Sequence, residues 1–153
     1  MDKSASRASV TSKQPKAHLL RKPTRPPTVA RSGPGEQSRR IALLAAEAAL
    51  DKKASEVEII DVSGNVDYAD YLVLMTGHSD RHVSAIADGV DEFLRRHGVR
   101  AISVEGLPRS SWVLIDFVDV VVHVFLAEAR ALYDLDGLWM DARRIPVHGP
   151  KPT

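Results

Sequence analysis

From Ser38 the chain repeats apolar residues at helical spacing. Ile41, Leu44, Ala45 and Ala48 fall at i, i+3, i+4 and i+7, which predicts a helix running to about Lys53. The period then shortens. Residues 56–62 alternate around Val57 and Ile59, and Ile60 interrupts the polar side, so a strand covered at least partly on both faces is expected there. Ser63-Gly64-Asn65 turns the chain toward a second strand over residues 71–76. Ser79 is placed to cap a helix carrying Val83, Ile86, Val90, Phe93 and Leu94 on one side, and Gly98 to stop it. Residues 100–104 predict a short third strand, and residues 105–111 a loop rich in Gly, Pro and Ser. Residues 112–118 and 119–126 follow with only a tight turn between them, the pattern of an antiparallel hairpin. Helical spacing resumes at Ala127, and Pro146 and Pro150 mark a frayed end. The order α, β, β, α, β, β, β, α predicts an α/β fold: a mixed β-sheet with helices packed against it.

The hairpin sorts into two faces, because successive side chains of a strand point opposite ways. Val113, Ile115, Val120, Val122, Val124 and Leu126 form an aliphatic face that belongs in the core. Trp112, Leu114, Asp116, Asp119, Val121, His123 and Phe125 form the other. Two readings compete for it. The last helix could cover it, leaving the polar members at its rim. Alternatively it is a partner-binding face, since aromatic residues among a few charges are typical of interface hot spots. Phe117 favours the second reading: at a hairpin tip a large aromatic has little core to enter. Trp112, Leu114, Asp116, Phe117, Asp119 and His123 are therefore the expected partner contacts.

Composition changes the picture at the N-terminus. Residues 1–36 carry eight Lys or Arg against two acids, whereas the remainder carries thirteen against eighteen. A basic, Pro- and Ser-rich segment without apolar period cannot offset the entropy of ordering, so a disordered tail is expected. It could make weak contacts to RNA, and its composition also suits an organelle transit peptide. The acidic domain, residues 37–146, is a poor binder of phosphate backbones; residues 147–153 are expected to be a disordered end. With no cysteine, disulfides and thiolate metal sites are excluded. No apolar run approaches the ~20 residues of a membrane helix, so a cytoplasmic protein without membrane contact is expected, or an organelle matrix protein if the tail is cleaved.

The candidates for catalysis are thin. Asp116, Asp119 and His123 could supply acid–base or metal chemistry, but only Asp119 and His123 certainly share a strand face. His78 and His82 straddle a helix start. Gly77-His78-Ser79 could offer amides to a phosphate, though one glycine is a weak signal. Asp134 and Asp136, placed on a helix, would point to different faces. The sequence carries no glycine-rich phosphate loop, no Gly-x-Ser-x-Gly elbow and no His-Glu-x-x-His motif. A protein that is not an enzyme and needs no cofactor is expected, with a nucleotide-binding transferase as the alternative from a different class.

Seven segments follow one another in an order that resembles the ribosomal silencing factor (Iojap-like) family: Asp61-Val62-Ser63-Gly64, Ala69-Asp70-Tyr71, residues 76–81, Val104-Glu105-Gly106, residues 112–116, residues 119–125 and residues 133–139. The resemblance runs from about residue 39 to 146. It implies a nucleotidyltransferase-like fold without the catalytic motif. It also implies a protein that binds the large ribosomal subunit through large-subunit ribosomal protein fourteen and obstructs small-subunit joining when nutrients are scarce. Organellar relatives act in large-subunit assembly. Carried over, the family's interface tryptophan falls on Trp112 and its bulky hairpin-tip residue on Phe117. Val118 departs from the glycine common at that turn, and Met140 from the glycine common after the Leu-Trp pair. Whether the free protein forms a homodimer is left open.

Overall fold

The computed structural model describes residues 35–106 and 111–147. Ten elements follow in order: α1 (Glu36–Asp51), β1 (Ser55–Asp61), β2 (Tyr71–Gly77), α2 (Asp80–Arg96), β3 (Ser103–Glu105), β4 (Trp112–Asp116), β5 (Val120–Leu126), α3 (Ala127–Tyr133), α4 (Leu135–Leu138) and β6 (Arg143–Ile145). The strands form one sheet in the order β3-β4-β5-β2-β1-β6. Only β2 and β5 run parallel; all other neighbours are antiparallel. This is the mixed α/β sheet that the alternating pattern predicts.

Each helix ends where its chemistry requires. Ser79 Oγ accepts the His82 amide at 3.0 Å to open α2, and Gly98 at φ 83 closes it. Helix α1 buries Ala42, Ala45, Ala46, Ala48 and Ala49 beside Ile41. These small side chains let it lie close against the sheet and α2. Lys53 adopts φ 67 just beyond it, and the neighbouring Lys52 and Ala54 amides return to the helix's last carbonyls. Ser38 Oγ donates to the Asp70 carboxylate at 2.7 Å, fastening the first turn of α1 to the start of β2.

The sheet is covered on both sides. Helices α1 and α2 pack over Val73, Met75, Val113, Ile115, Val120, Val122 and Val124. The second layer is built by α3, α4 and Trp139 over Leu72, Leu74, Trp112, Leu114, Val121 and Phe125. Because β2 lies at the centre with both faces covered, every one of its residues is buried. That explains its unbroken apolar run.

Among the differences from expectation, three concern the ends of the domain and the sheet. Glu36, assigned to the tail, opens α1, and the rest of the expected disordered tail lies outside the described residues. Val147, assigned to the disordered end, packs against the core; residues 148–153 lie outside the described residues. The third difference is β6, which extends the sheet beyond β1 by pairing Arg143, Arg144 and Ile145 with Asp61, Ile60 and Ile59.

Candidate functional site

The face that carries Trp112 is interior. Trp112 is 1% exposed, and Leu114 and His123 are equally buried, so the expectation that these side chains turn outward to a partner is corrected. The physical reason lies in residues 127–139, which fold back over the hairpin. Trp112 packs at a tilt against Tyr133 with ring centroids 4.3 Å apart, and against Phe125, its partner across the strands, at 4.8 Å. Trp112 Nε1 donates to His123 Nδ1 at 3.0 Å. An acceptor nitrogen cannot carry a proton, so this bond requires the neutral imidazole with its hydrogen on Nε2.

Phe117 is likewise interior, 3% exposed, and packs in the layer beneath the long helices. The tip does not project. Asp119 O accepts the amides of Asp70 and Tyr71 at 2.7 and 3.2 Å, and the parallel β2–β5 pairing begins at Tyr71 and Val120. The turn is therefore tucked against the start of β2, where Phe117 finds a core to enter.

Burial alone pushes the His123 imidazole down from 6.5 to about 3. The unfolded chain takes up this proton below pH 6.5 while the folded chain refuses it, so stability from this group is full above pH 6.5 and falls steadily as the pH drops toward 3. The expected loss at pH 5 is about 2 kcal/mol. Urea unfolding at pH 7 and pH 5 measures it, with His123→Asn as reference, since the Asn Oδ1 can accept from Trp112 and does not titrate. Equal pH slopes for both proteins would refute a buried neutral His123.

What stands outward at this end of the sheet is a different set. Val118, at the apex of the turn, is 54% exposed and has φ 81. The Asp119 amide bonds to Phe117 O across it at 3.1 Å, closing a three-residue turn, while Asp116 Oδ1 accepts the Val118 amide at 2.8 Å. A positive φ in a β-branched residue is strained, by roughly 1–3 kcal/mol. Just before the adjoining edge strand β3, Ile102 is 64% exposed and its amide bonds to Asp116 O at 2.8 Å. Val104 is also exposed, as is Asp119; Asp116 and Glu105 are half-buried. Of the six expected contacts, the structure thus leaves only Asp116 and Asp119 reaching solvent, beside three aliphatic side chains that the face assignment missed. The alternating pattern could place Ile102 and Val104 on one strand face but not reveal that this edge runs beyond the helices.

The catalytic candidates are accounted for by folding. The His78 amide donates to His82 Nδ1 at 2.9 Å, His82 Nε2 meets Lys52 O at 2.9 Å, and the His82 amide is taken by Ser79. The His78 amide of the Gly77-His78-Ser79 segment and the His82 amide in the first turn of α2 are therefore already occupied by the protein's own acceptors. Asp134 sits at φ 50, which splits the last helical segment in two, and its Oδ1 accepts the Gly137 amide to start α4. Asp136 forms a two-pronged pair with the buried Arg130, Nε to Oδ2 and Nη2 to Oδ1 at 2.9 Å each. Those hydrogen bonds hold the Asp136 carboxyl below its usual range. Among the described residues, no cluster of three His, Asp or Glu side chains could hold a metal ion, and no helix is long and apolar enough to cross a membrane.

Together these features define a mixed-sheet α/β domain whose polar side chains near the sheet serve as caps, latches and buried partners. Residues 35–153 match the family model described as ribosomal silencing factor during starvation. The chain belongs to the ribosomal silencing factor family. It is 39% identical over 106 residues to ribosomal silencing factor RsfS of Halalkalibacterium halodurans, covering 69% of this chain and 91% of that protein. It is 30% identical over 91 residues to the mouse protein named mitochondrial assembly of ribosomal large subunit protein 1, covering 58% of this chain and 40% of the relative. A solved Chromobacterium violaceum structure superposes with a TM-score of 0.66 at 35% identity, over 76% of this chain and 90% of that one.

Proposed function

We propose that this chain binds the large ribosomal subunit through large-subunit ribosomal protein fourteen and bars the small subunit sterically, lowering translation when nutrients are limiting. Family membership supports the ribosomal target. The observation that carries the docking surface is the hairpin end of the sheet, where exposed Val118 stands between Asp116 and Asp119, and exposed Ile102 and Val104 lie along the adjoining edge. Aliphatic groups with two carboxylates at the turn suit a basic protein surface, with the charges steering encounter and the apolar groups holding the contact. In this arrangement Trp112, Leu114, Phe117 and His123 act from behind, as the rigid backing that fixes where Asp116 and Asp119 project.

Adding the protein to purified subunits and resolving them on a gradient tests the mechanism. The expected profile loses joined ribosomes as protein is added, and the protein travels with free large subunits. Undiminished joining at saturating protein would refute it. The name of the mouse relative favours a second reading, in which the same contact serves large-subunit assembly. A tail contact to ribosomal RNA would be read from deletion of residues 1–36, which should flatten the salt dependence of subunit binding.

A further inference from the structure

Val118 carries two costs. Its backbone lies at φ 81, where a β-branched residue is disfavoured, and its aliphatic side chain stands more than half exposed at the apex of the turn. Glycine would adopt the same φ without steric penalty and would expose no apolar surface. The conformation is nonetheless fixed from every side: the Asp116 carboxylate holds the Val118 amide, the Asp119 amide closes on Phe117 O, and Phe117 is anchored in the core. The result is a rigid knob rather than a mobile loop. Ile102 adjoins it through the hydrogen bond of its amide to Asp116 O, and Asp116 and Asp119 flank Val118.

We infer that Val118 is a preorganised apolar knob that enters an apolar recess rimmed by basic side chains on the ribosomal protein this chain binds, and that it sets the affinity and selectivity of that contact. The inference rests on the docking proposed above. Charge complementarity points to the basic rim, because carboxylates border the knob. The exposed methyl groups point to the recess, because they gain only where a partner removes them from water.

Two substitutions test it against purified large subunits. Val118→Gly removes knob and strain together, so the domain should unfold at a higher urea concentration while subunit binding weakens about tenfold or more. A stabilised protein that binds worse cannot be explained by unfolding. Val118→Thr keeps the branched shape and the strained turn but replaces a methyl by a hydroxyl, and should weaken binding severalfold. Both variants should sediment like the parent when free. Parental subunit binding by either variant would overturn the knob while leaving the docking intact. A change in self-association would also overturn it, assigning the knob to a second copy of the chain. Failure of the parent protein itself to co-sediment with large subunits would remove the docking reading, and the knob with it.

Discussion

Replacing Trp112 by alanine is expected to cost about 3–5 kcal/mol of folding stability, the range for removing a buried tryptophan. The indole fills the space between β5 and the α3 segment, touching Tyr133, Phe125 and His123. Its loss opens a cavity that neighbours on two strands cannot close. It also removes the donor to His123 Nδ1, leaving a buried acceptor without its Trp112 bond. Urea unfolding at pH 7 reads the cost, and a midpoint unchanged from the parent would place Trp112 at the surface. The functional corollary separates two accounts of this tryptophan. If it contacted the ribosome directly, Trp112→Phe would lose binding in proportion to lost contact. Because it lies inside, Trp112→Phe should keep the aromatic packing, lose stability from the missing hydrogen bond, and bind large subunits as the parent does while it remains folded.

The burial of Trp112 also explains how far the sequence could be read. The two hairpin strands were legible because β-branched and aromatic residues crowd either side of a turn bounded by Asp116 and Asp119, and the face of Val113, Ile115, Val120, Val122 and Val124 is core as expected. Helix α2 was legible through its stripe together with Ser79 and Gly98, whose roles are local. The second face was ambiguous for a physical reason: Trp, Phe, His and Leu compose an interface hot spot and a core layer equally well. What decides between them is whether residues 127–139 fold back, a tertiary fact with no period of its own. The bend that permits it occurs at Asp134, in a run where Leu132, Tyr133, Leu135 and Leu138 all suit a continuing helix. The local sign was Gly137, since a side chain there would meet the Asp134 carboxylate within 2.3 Å. Strand β6 was invisible for a similar reason. Arg143-Arg144-Ile145 is too short for alternation to register, and its strand character comes from pairing with β1. Ile102 and Val104 belong to a predicted strand, but their exposure depends on where α2 stops covering the sheet edge.

Arg130 is the residue whose role was least visible and whose removal is expected to rival that of Trp112. In sequence it sits between alanines on a short helix and reads as a solvated charge. In the fold it is buried and reaches three elements at once. Its Nε and Nη2 grip Asp136, while Nη1 donates to Thr76 Oγ1 at 2.9 Å and Glu56 O at 2.6 Å. Glu56 stands at φ 48 beside an irregularity in the β1–β2 register, so its carbonyl points out of the ladder and takes a side-chain donor instead. The guanidinium thus joins the covering layer to the ends of β1 and β2, and its planar fork does what a lysine could not. Arg130→Met fills comparable volume but withdraws every donor, and is expected to destabilise by about 3 kcal/mol. Asp136 retains access to water, which holds the cost to the low end of the range for broken buried pairs. Arg130→Met combined with Asp136→Asn should cost less than the sum of the single changes, because the pair's interaction can be lost only once. Strict additivity in urea unfolding would mean the pair contributes nothing. Since the layer held by Arg130 backs the hairpin, Arg130→Met should also loosen the setting of Asp116 and Asp119. Subunit binding should then weaken in step with its unfolding midpoint, whereas Val118→Gly weakens binding as stability rises.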